Sequence, residues 1–165
     1  MNKIIVLIII ILNFFIVNFS FAAGSSGSSG NGNSSVSKTK SQYEYASSII
    51  KKAKKLEEKG KVEKAKKKYK RALKYLQKSN KKKPGNPDTL NYLGFALRKL
   101  GEFGEAEKYY LEGLNIKPDH PGINEYLGEL YIQTNRIELA KERLAVLKNC
   151  NCEEYQELKE LIEKN

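Results

Sequence analysis

Several residues of this chain recur at an interval of 34 positions, and this repeat constrains the fold more than any other feature. The recurring residues are prolines and a Leu-Gly pair: Pro84 and Pro118, Pro87 and Pro121, Leu93-Gly94 and Leu127-Gly128. A period of this length is typical of stacked helix–turn–helix units, each of which buries its apolar face against its neighbours. The sequence therefore predicts an all-α array of helical hairpins.

Three predicted turns mark these hairpins. Gly60, Gly101 and Asn135 each stand between two apolar segments of helical periodicity, and these residue types readily take the left-handed conformation that ends a helix. Alanines follow the turns at intervals of 41 and 34 residues: Ala65, Ala106 and Ala140. The first interval is longer by about two helical turns, so we expect an elongated second helix, Val62–Asn80.

One stretch resembles the tetratricopeptide-repeat consensus nearly position for position. The matching residues are Leu93, Gly94, Leu97, Gly101, Ala106, Tyr110, Gly113 and Pro118. The repeat before this stretch matches in its second half. The repeat after it also matches, although Asn135 stands in its turn and Cys152 stands where the family has proline. The resemblance implies a tetratricopeptide-repeat solenoid of three helical hairpins plus a C-terminal capping helix, all-α and without strands.

We expect this domain to occupy residues 41–165, with repeats at about 46–86, 87–120 and 121–154 and the capping helix at about 153–164. Ser41 and Glu44 fit a capping box that opens the first helix. Pro87 and Pro121 suit the first position of a helix, where no N–H donor is needed. His120 precedes Pro121, and we expect it to be a solvent-exposed residue at a helix start.

The amino terminus has the pattern of an export signal. Lys3 precedes an apolar run, Ile4–Val17, and the small residues Ser20 and Ala22 precede a Gly/Ser/Asn-rich tract. We expect a signal peptide at residues 1–22, cleaved after Ala22, and a disordered linker at residues 23–40. The mature protein would then be periplasmic. The alternative is an uncleaved apolar segment that anchors the chain in the inner membrane.

The residues needed for catalysis are scarce. The chain has one His and two Cys, and no Ser/His/Asp set or glycine-rich phosphate loop was found. We therefore expect a non-enzymatic protein that needs neither a cofactor nor a metal ion.

Charge divides the domain into a basic and an acidic part. Residues 38–83 contain 19 basic and 4 acidic residues, whereas residues 84–165 contain 10 basic and 15 acidic residues. The predicted second helix places cations opposite its apolar face: Lys67, Lys70, Arg71, Lys74 and Lys78. Such a stripe is either a solvated surface in a lysine-rich chain or a patch that binds an anionic partner. Few aromatic residues alternate with the lysines, so no nucleic acid partner is expected.

The family resemblance implies a concave groove formed by the first helix of each repeat, in which a peptide binds. The groove positions are Ile50, Lys54, Glu57, Asn91, Phe95, Arg98, Glu125, Glu129 and Ile132. With Phe95 as an exposed aromatic anchor beside Arg98 and the two later glutamates, the groove would suit a peptide with an apolar side chain and a basic residue. The Lys/Asn/Arg clamp with which some family members hold a terminal carboxylate is absent.

These observations favour an exported protein–protein interaction module that binds a protein or peptide segment in the groove. The alternative is an electrostatic adaptor that holds an anionic envelope surface through the lysine-rich first repeat. Cys150 and Cys152 add a possible disulfide, since an even number of cysteines in an exported chain is typical of a bridge. A redox role for this pair is a further alternative.

Overall fold

The computed structural model describes residues 41–165, and the predicted signal peptide and linker lie outside this range. The described part contains seven α-helices and no strand, which confirms the predicted fold class. The helices are α1 (Gln42–Glu57), α2 (Val62–Lys82), α3 (Pro87–Lys99), α4 (Phe103–Ile116), α5 (Pro121–Gln133), α6 (Ile137–Leu147) and α7 (Glu153–Glu163). Among these helices, none is both long and apolar enough to cross a membrane. The second helix extends two residues beyond the predicted end.

The helix ends follow the predicted signals. The Ser41 side chain accepts from the backbone of Glu44, and the Glu44 side chain accepts from the backbone of Ser41, so the capping box is present. Gly60, Gly101 and Asn135 have positive φ angles of 68°, 86° and 57°. Each of these residues ends the first helix of a hairpin, as the turn pattern predicts.

The prediction that His120 is exposed is wrong, because its side chain is the N-cap of α5. Its Nδ1 accepts a hydrogen bond from the backbone N–H of Ile123 at 3.2 Å, and its Nε2 lies 3.2 Å from Asp88 Oδ1. Folding the ring back over the first helical turn leaves His120 only 8% exposed. The residue before the helix was identified correctly, but its position alone did not reveal that its ring caps the helix.

The hydrophobic core consists of two clusters of buried residues that lie along the stacked hairpins. One buried cluster joins α1 and α2 to α3, and a second joins α4, α5 and α6 to the end of α3. Tyr69 and Tyr110 are the largest fully buried side chains, one in each cluster. Residues Lys38–Asn165 form one compact unit, and its two clusters are internal to it. This unit therefore has the core that independent folding requires.

Three glycines allow the helices to approach closely. A Cβ atom on Gly94 would stand 2.5–2.7 Å from the ring of Tyr110, and one on Gly113 would stand 2.5 Å from Ile123 Cδ1. A Cβ atom on Gly128 would stand 2.6 Å from the side chain of Leu158 in α7. Each pair places a large side chain of one helix over a glycine of another, which lets the two helices pack closely.

The array curves toward the first helices of the hairpins. In the described residues α1 contacts α3, and α3 contacts α5, whereas no contacts join α2 to α4 or α4 to α6. The face shared by α1, α3 and α5 is therefore the concave one. Helix α7 contacts α5 and α6, which is where the first helix of a further repeat would pack. It caps the array and extends the concave face by one helix.

We expect Gly94→Ala to lower the free energy of unfolding by about 1–3 kcal/mol, because the buried Tyr110 ring cannot move away from the added methyl group. Gly104→Ala is the matched control, since a Cβ atom added there would meet nothing within 4 Å and its φ is ordinary. That control should stabilise the helix by up to about 1 kcal/mol. Urea unfolding of both variants measures the difference. Equal effects would show that α3 and α4 do not approach as closely as described.

Candidate functional site on the concave face

The structure brings the predicted groove residues together, but it buries most of them. Ile50, Asn91, Phe95, Arg98 and Glu125 are each less than 9% exposed, and among the seven principal residues only Lys54 and Glu129 remain accessible. The surface that a partner would meet is therefore formed by other side chains on the same helices. The accessible residues of this concave surface are Lys54, Glu57, Tyr92, Lys99, Tyr126, Glu129, Ile132 and, on α7, Glu157.

The expectation that Phe95 is an exposed anchor is wrong. Its ring is 1% exposed and lies between two tyrosines, with ring centroids 5.8 Å from Tyr69 and 4.8 Å from Tyr126. Lys54 Nζ covers it from the groove side, 5.3 Å from the ring centroid. Position along α3 places Phe95 toward the groove, but the neighbouring side chains close over it. Phe95 is thus the floor of the concave face.

Lys54 and Tyr126 form the accessible layer above this floor. Lys54 Nζ donates to the Tyr126 hydroxyl at 3.3 Å and also lies 5.6 Å from the centre of its ring. A cation over an aromatic face is stabilised by the ring quadrupole. The two residues join α1 to α5 across the face of α3, and both keep exposed surface that can contact a ligand.

Arg98 is held as a buried cation beneath the same face. Its Nη1 lies 2.7 Å from Glu129 Oε2, and the side chains are 1% and 19% exposed. The contact is thus a close ion pair in which the arginine is buried and the carboxylate is partly accessible. Arg98 also lies 5.5 Å from the Phe95 ring centroid and 5.7 Å from that of Tyr126. It is therefore a structural cation that a ligand does not reach.

A second ion pair closes the amino-terminal half of the face. Lys99 Nζ lies 2.9 Å from Glu57 Oε2, and the Tyr69 hydroxyl donates to the same carboxylate at 2.8 Å. Both side chains of the ion pair are 27% exposed. Glu57 was predicted as a groove residue, and its neighbour Lys99 was not. Lys99 lies on the last turn of α3, opposite the end of α1. The two residues meet there because the array curves toward its first helices.

Glu125 and Glu157 form a pair of carboxyl groups between α5 and α7. Burial of Glu125, its hydrogen bond to Glu157 and the nearby charge of Glu129 raise the pKa of Glu125 to about 9, whereas Lys54 acts in the opposite direction. At neutral pH the Glu125 carboxyl is therefore protonated and donates to Glu157. Glu157 was not predicted as part of the site, because the register of the capping helix against α5 is not evident from the sequence.

This pair predicts a pH dependence. Between an ordinary unfolded pKa near 4.3 and the raised folded value, the folded state holds one more proton than the unfolded state, so stability falls as pH rises. Glu125→Gln removes this titration. We expect the variant to gain about 2 kcal/mol relative to the unaltered chain between about pH 5 and about pH 8, which is within the ceiling of about 1.4 kcal/mol per pH unit for one proton.

Urea unfolding of both proteins at the two pH values measures this difference. Glu160→Gln, at an exposed position of α7, is the control and should leave the pH dependence unchanged. A constant difference between Glu125→Gln and the unaltered chain at both pH values would contradict a buried protonated carboxyl group.

The basic stripe lies on α2, away from the concave face. Lys67, Lys70, Arg71, Lys74 and Lys78 are all exposed, opposite the buried residues of the helix. Beside the stripe, a cavity of about 420 Å³ is lined by Leu56, Lys64, Lys67, Lys68 and Arg71. The stripe and the concave face are thus separate surfaces.

The two cysteines lie in the turn between α6 and α7. Cys150 and Cys152 are joined by a disulfide, with Cα atoms 5.2 Å apart. Cys152 is the N-cap residue of α7, and Asn151 between them has a positive φ of 49°. The bridge therefore closes the turn that leads into the capping helix.

Comparison with known proteins agrees with this architecture. Residues 63–123 match the family model of the tetratricopeptide repeat. The sol locus transcriptional repressor of Clostridium acetobutylicum is 32% identical over 73 residues, which cover 44% of this chain and 23% of the repressor. The chain thus spans less than a quarter of that relative.

The chain is also similar to solved structures. A tetratricopeptide repeat protein from Parabacteroides merdae is 18% identical, with a TM-score of 0.51, and the match covers 72% of this chain and 59% of that one. The first tetratricopeptide domain of Spaghetti (RPAP3), bound to an HSP90 peptide, is 20% identical, with a TM-score of 0.45 and coverage of 72% and 91%. The family-model match over residues 63–123, the 34-residue repeat pattern and the stacked hairpins together show a tetratricopeptide-repeat fold in the helical domain.

Proposed function

We propose that residues 41–165 are a protein-interaction module that holds a protein or peptide segment on the concave face. The observation that carries this proposal is the convergence of accessible aromatic and charged side chains from four helices on one surface. Lys54 comes from α1, Tyr92 from α3, Tyr126 from α5 and Glu157 from α7. Concave surfaces of solenoids provide such extended contact.

The chemistry of this surface indicates the kind of ligand. Tyr92 and Tyr126 are half-buried, so each can cover an apolar side chain with part of its ring. Glu129 and Glu157 lie at the carboxyl-terminal end of the face, where protonated Glu125 adds no charge. A segment with an apolar side chain followed or preceded by a basic residue fits this arrangement. Arg98 and Phe95 support the surface from below.

The test is a selection of random peptides, displayed on phage, on the unit Lys38–Asn165. The affinity of enriched peptides is then measured by calorimetry. We expect Lys54→Glu to weaken binding at least about tenfold, because it removes the cation from the aromatic layer. Thermal unfolding of the variant shows that it is still folded at the temperature of the binding measurement. Lys55→Glu makes the same charge change on an exposed position of α1 and should have little effect. Equal weakening by both variants would contradict binding at the concave face.

We propose that this module works outside the cytoplasm after removal of residues 1–22, on the strength of the export pattern. Mass spectrometry of the amino terminus tests this directly. A mature terminus at Ala23 is the expected result. An intact terminus at Met1 would favour the anchored form instead.

A further inference from the structure

The basic stripe differs from the charged surfaces of the other second helices. In α4 and α6 the cations have carboxylate partners close by: Lys108 pairs with Glu105, Lys141 with Glu138 and Arg143 with Glu142. Helix α2 contains one carboxylate, Glu63, which lies 3.3 Å from Lys66. Within residues 41–165, no carboxylate lies within ion-pair distance of the five stripe cations. The cations of α4 and α6 are therefore paired, whereas, among the described residues, the five stripe cations of α2 are not.

Apolar and aromatic side chains border the stripe. The rings of Tyr45 and Tyr75 meet edge to face at 4.6 Å, with Arg71 donating to the Tyr45 hydroxyl and Lys78 Nζ 5.8 Å from the Tyr75 ring. Val62, at the first turn of α2, is 47% exposed. Leu56 forms the apolar wall of the adjoining cavity, whose other lining residues are cations. This face is cationic along its length and amphipathic at its edge.

We propose that the outer face of α2 is a docking surface for a bilayer of anionic lipids. Helix α2 has 21 residues and is about 30 Å long, so its stripe can lie flat across several headgroups. Lysine presents a compact, mobile charge without the bidentate geometry of arginine, which suits a fluid array of phosphates. Of the five stripe residues only Arg71 is an arginine, and it is engaged by Tyr45. Tyrosine rings favour the interface between headgroups and water.

The chain itself favours a bilayer over other anions. The export pattern of residues 1–22, on which this point rests together with the proposed function, would carry the chain across a membrane, so that the mature domain faces a lipid surface. A nucleic acid would instead require free aromatic faces for stacking, whereas Tyr45 and Tyr75 are occupied by each other and by cations. This surface lies apart from the concave face, so the two proposals are tested by different variants.

The test uses the unit Lys38–Asn165 and sedimentation with vesicles of phosphatidylglycerol and phosphatidylcholine in equal amounts. We expect binding that is lost on vesicles of phosphatidylcholine alone and falls steeply as salt is raised. Lys67→Gln/Lys74→Gln should weaken binding about 30-fold, since each lysine near an anionic surface contributes about fivefold. Lys117→Gln/Lys148→Gln removes the same charge from exposed positions outside α2 and should weaken it less than about threefold.

Four other outcomes of these binding measurements would overturn the proposal. Equal losses in both double variants would mean that net charge alone attracts the protein. Displacement by inorganic phosphate at matched ionic strength would indicate a local phosphate site. Tighter, stripe-dependent binding of duplex DNA or polyglutamate than of vesicles would assign the face to that polymer. Stripe-dependent self-association without lipid, seen by sedimentation velocity, would assign it to a second copy. Unchanged thermal unfolding of both variants confirms that they are folded.

Discussion

Replacing Phe95 by alanine is expected to lower the free energy of unfolding by about 3–5 kcal/mol. The ring is 1% exposed and touches groups from three other helices: Tyr69 of α2, Tyr126 of α5 and Lys54 of α1. Its removal leaves a cavity at the junction of these helices, and it also removes the aromatic face beside three cations, Lys54, Arg98 and Lys99. Any effect of Phe95→Ala on ligand binding would then arise through the disturbed packing beneath the concave face and not through a lost contact with the ligand.

Urea unfolding measures the loss, and Leu111→Ala is the control. Leu111 is an apolar residue of α4 that is 44% exposed, and its truncation should cost less than about 1 kcal/mol. If Phe95→Ala proved as mild as this control, the ring would be accessible after all, and Phe95 would again be a candidate anchor for a ligand.

Replacing Glu129 by alanine is expected to cost about 3–5 kcal/mol, although Glu129 lies at the surface of the site. Its carboxylate is the acidic partner, at 2.7 Å, of an Arg98 side chain that is 1% exposed. Without it, a buried guanidinium keeps its charge and loses its compensation. Glu129 therefore supports the concave face as well as carrying charge on it.

Two further variants make this prediction specific. Glu105→Ala removes an exposed pair with Lys108 and should cost less than about 1 kcal/mol. The double variant Arg98→Leu/Glu129→Leu should recover most of the loss, because two apolar side chains replace a costly buried pair. A double variant as unstable as Glu129→Ala would contradict the origin assigned to the loss, since no buried charge then remains.

Much of the fold could be predicted because tetratricopeptide repeats encode close packing in small residues at regular positions. Gly94 and Gly128, the glycines of the recurring Leu-Gly pair, lie where helices approach closely, and Gly60, Gly101 and Asn135 predicted where hairpins turn. The end of α2 was less evident. The lysines Lys81 and Lys82 continue the helix beyond the last apolar residue, so periodicity could not show where it ends.

The site was harder to predict than the fold. Position along a helix placed Lys54, Phe95 and Glu129 on the correct face, but exposure depends on which neighbouring side chains cover that face. Lys54 and Tyr126 lie 72 positions apart in the chain and meet over Phe95. Glu157 joins the site because Leu158 packs on Gly128 and sets the register of α7. Such contacts are set by tertiary packing, which a single sequence does not display.

The central claim is that a protein segment binds the concave face, and chemical-shift mapping of the unit Lys38–Asn165 tests it most directly. A peptide from the phage selection is titrated into the isotope-labelled unit. We expect backbone and side-chain shifts to change around Lys54, Tyr92, Tyr126 and Glu157, while Lys67 and Lys74 on α2 stay unchanged. Changes confined to α2, α4 and α6, with none around those four residues, would contradict the claim.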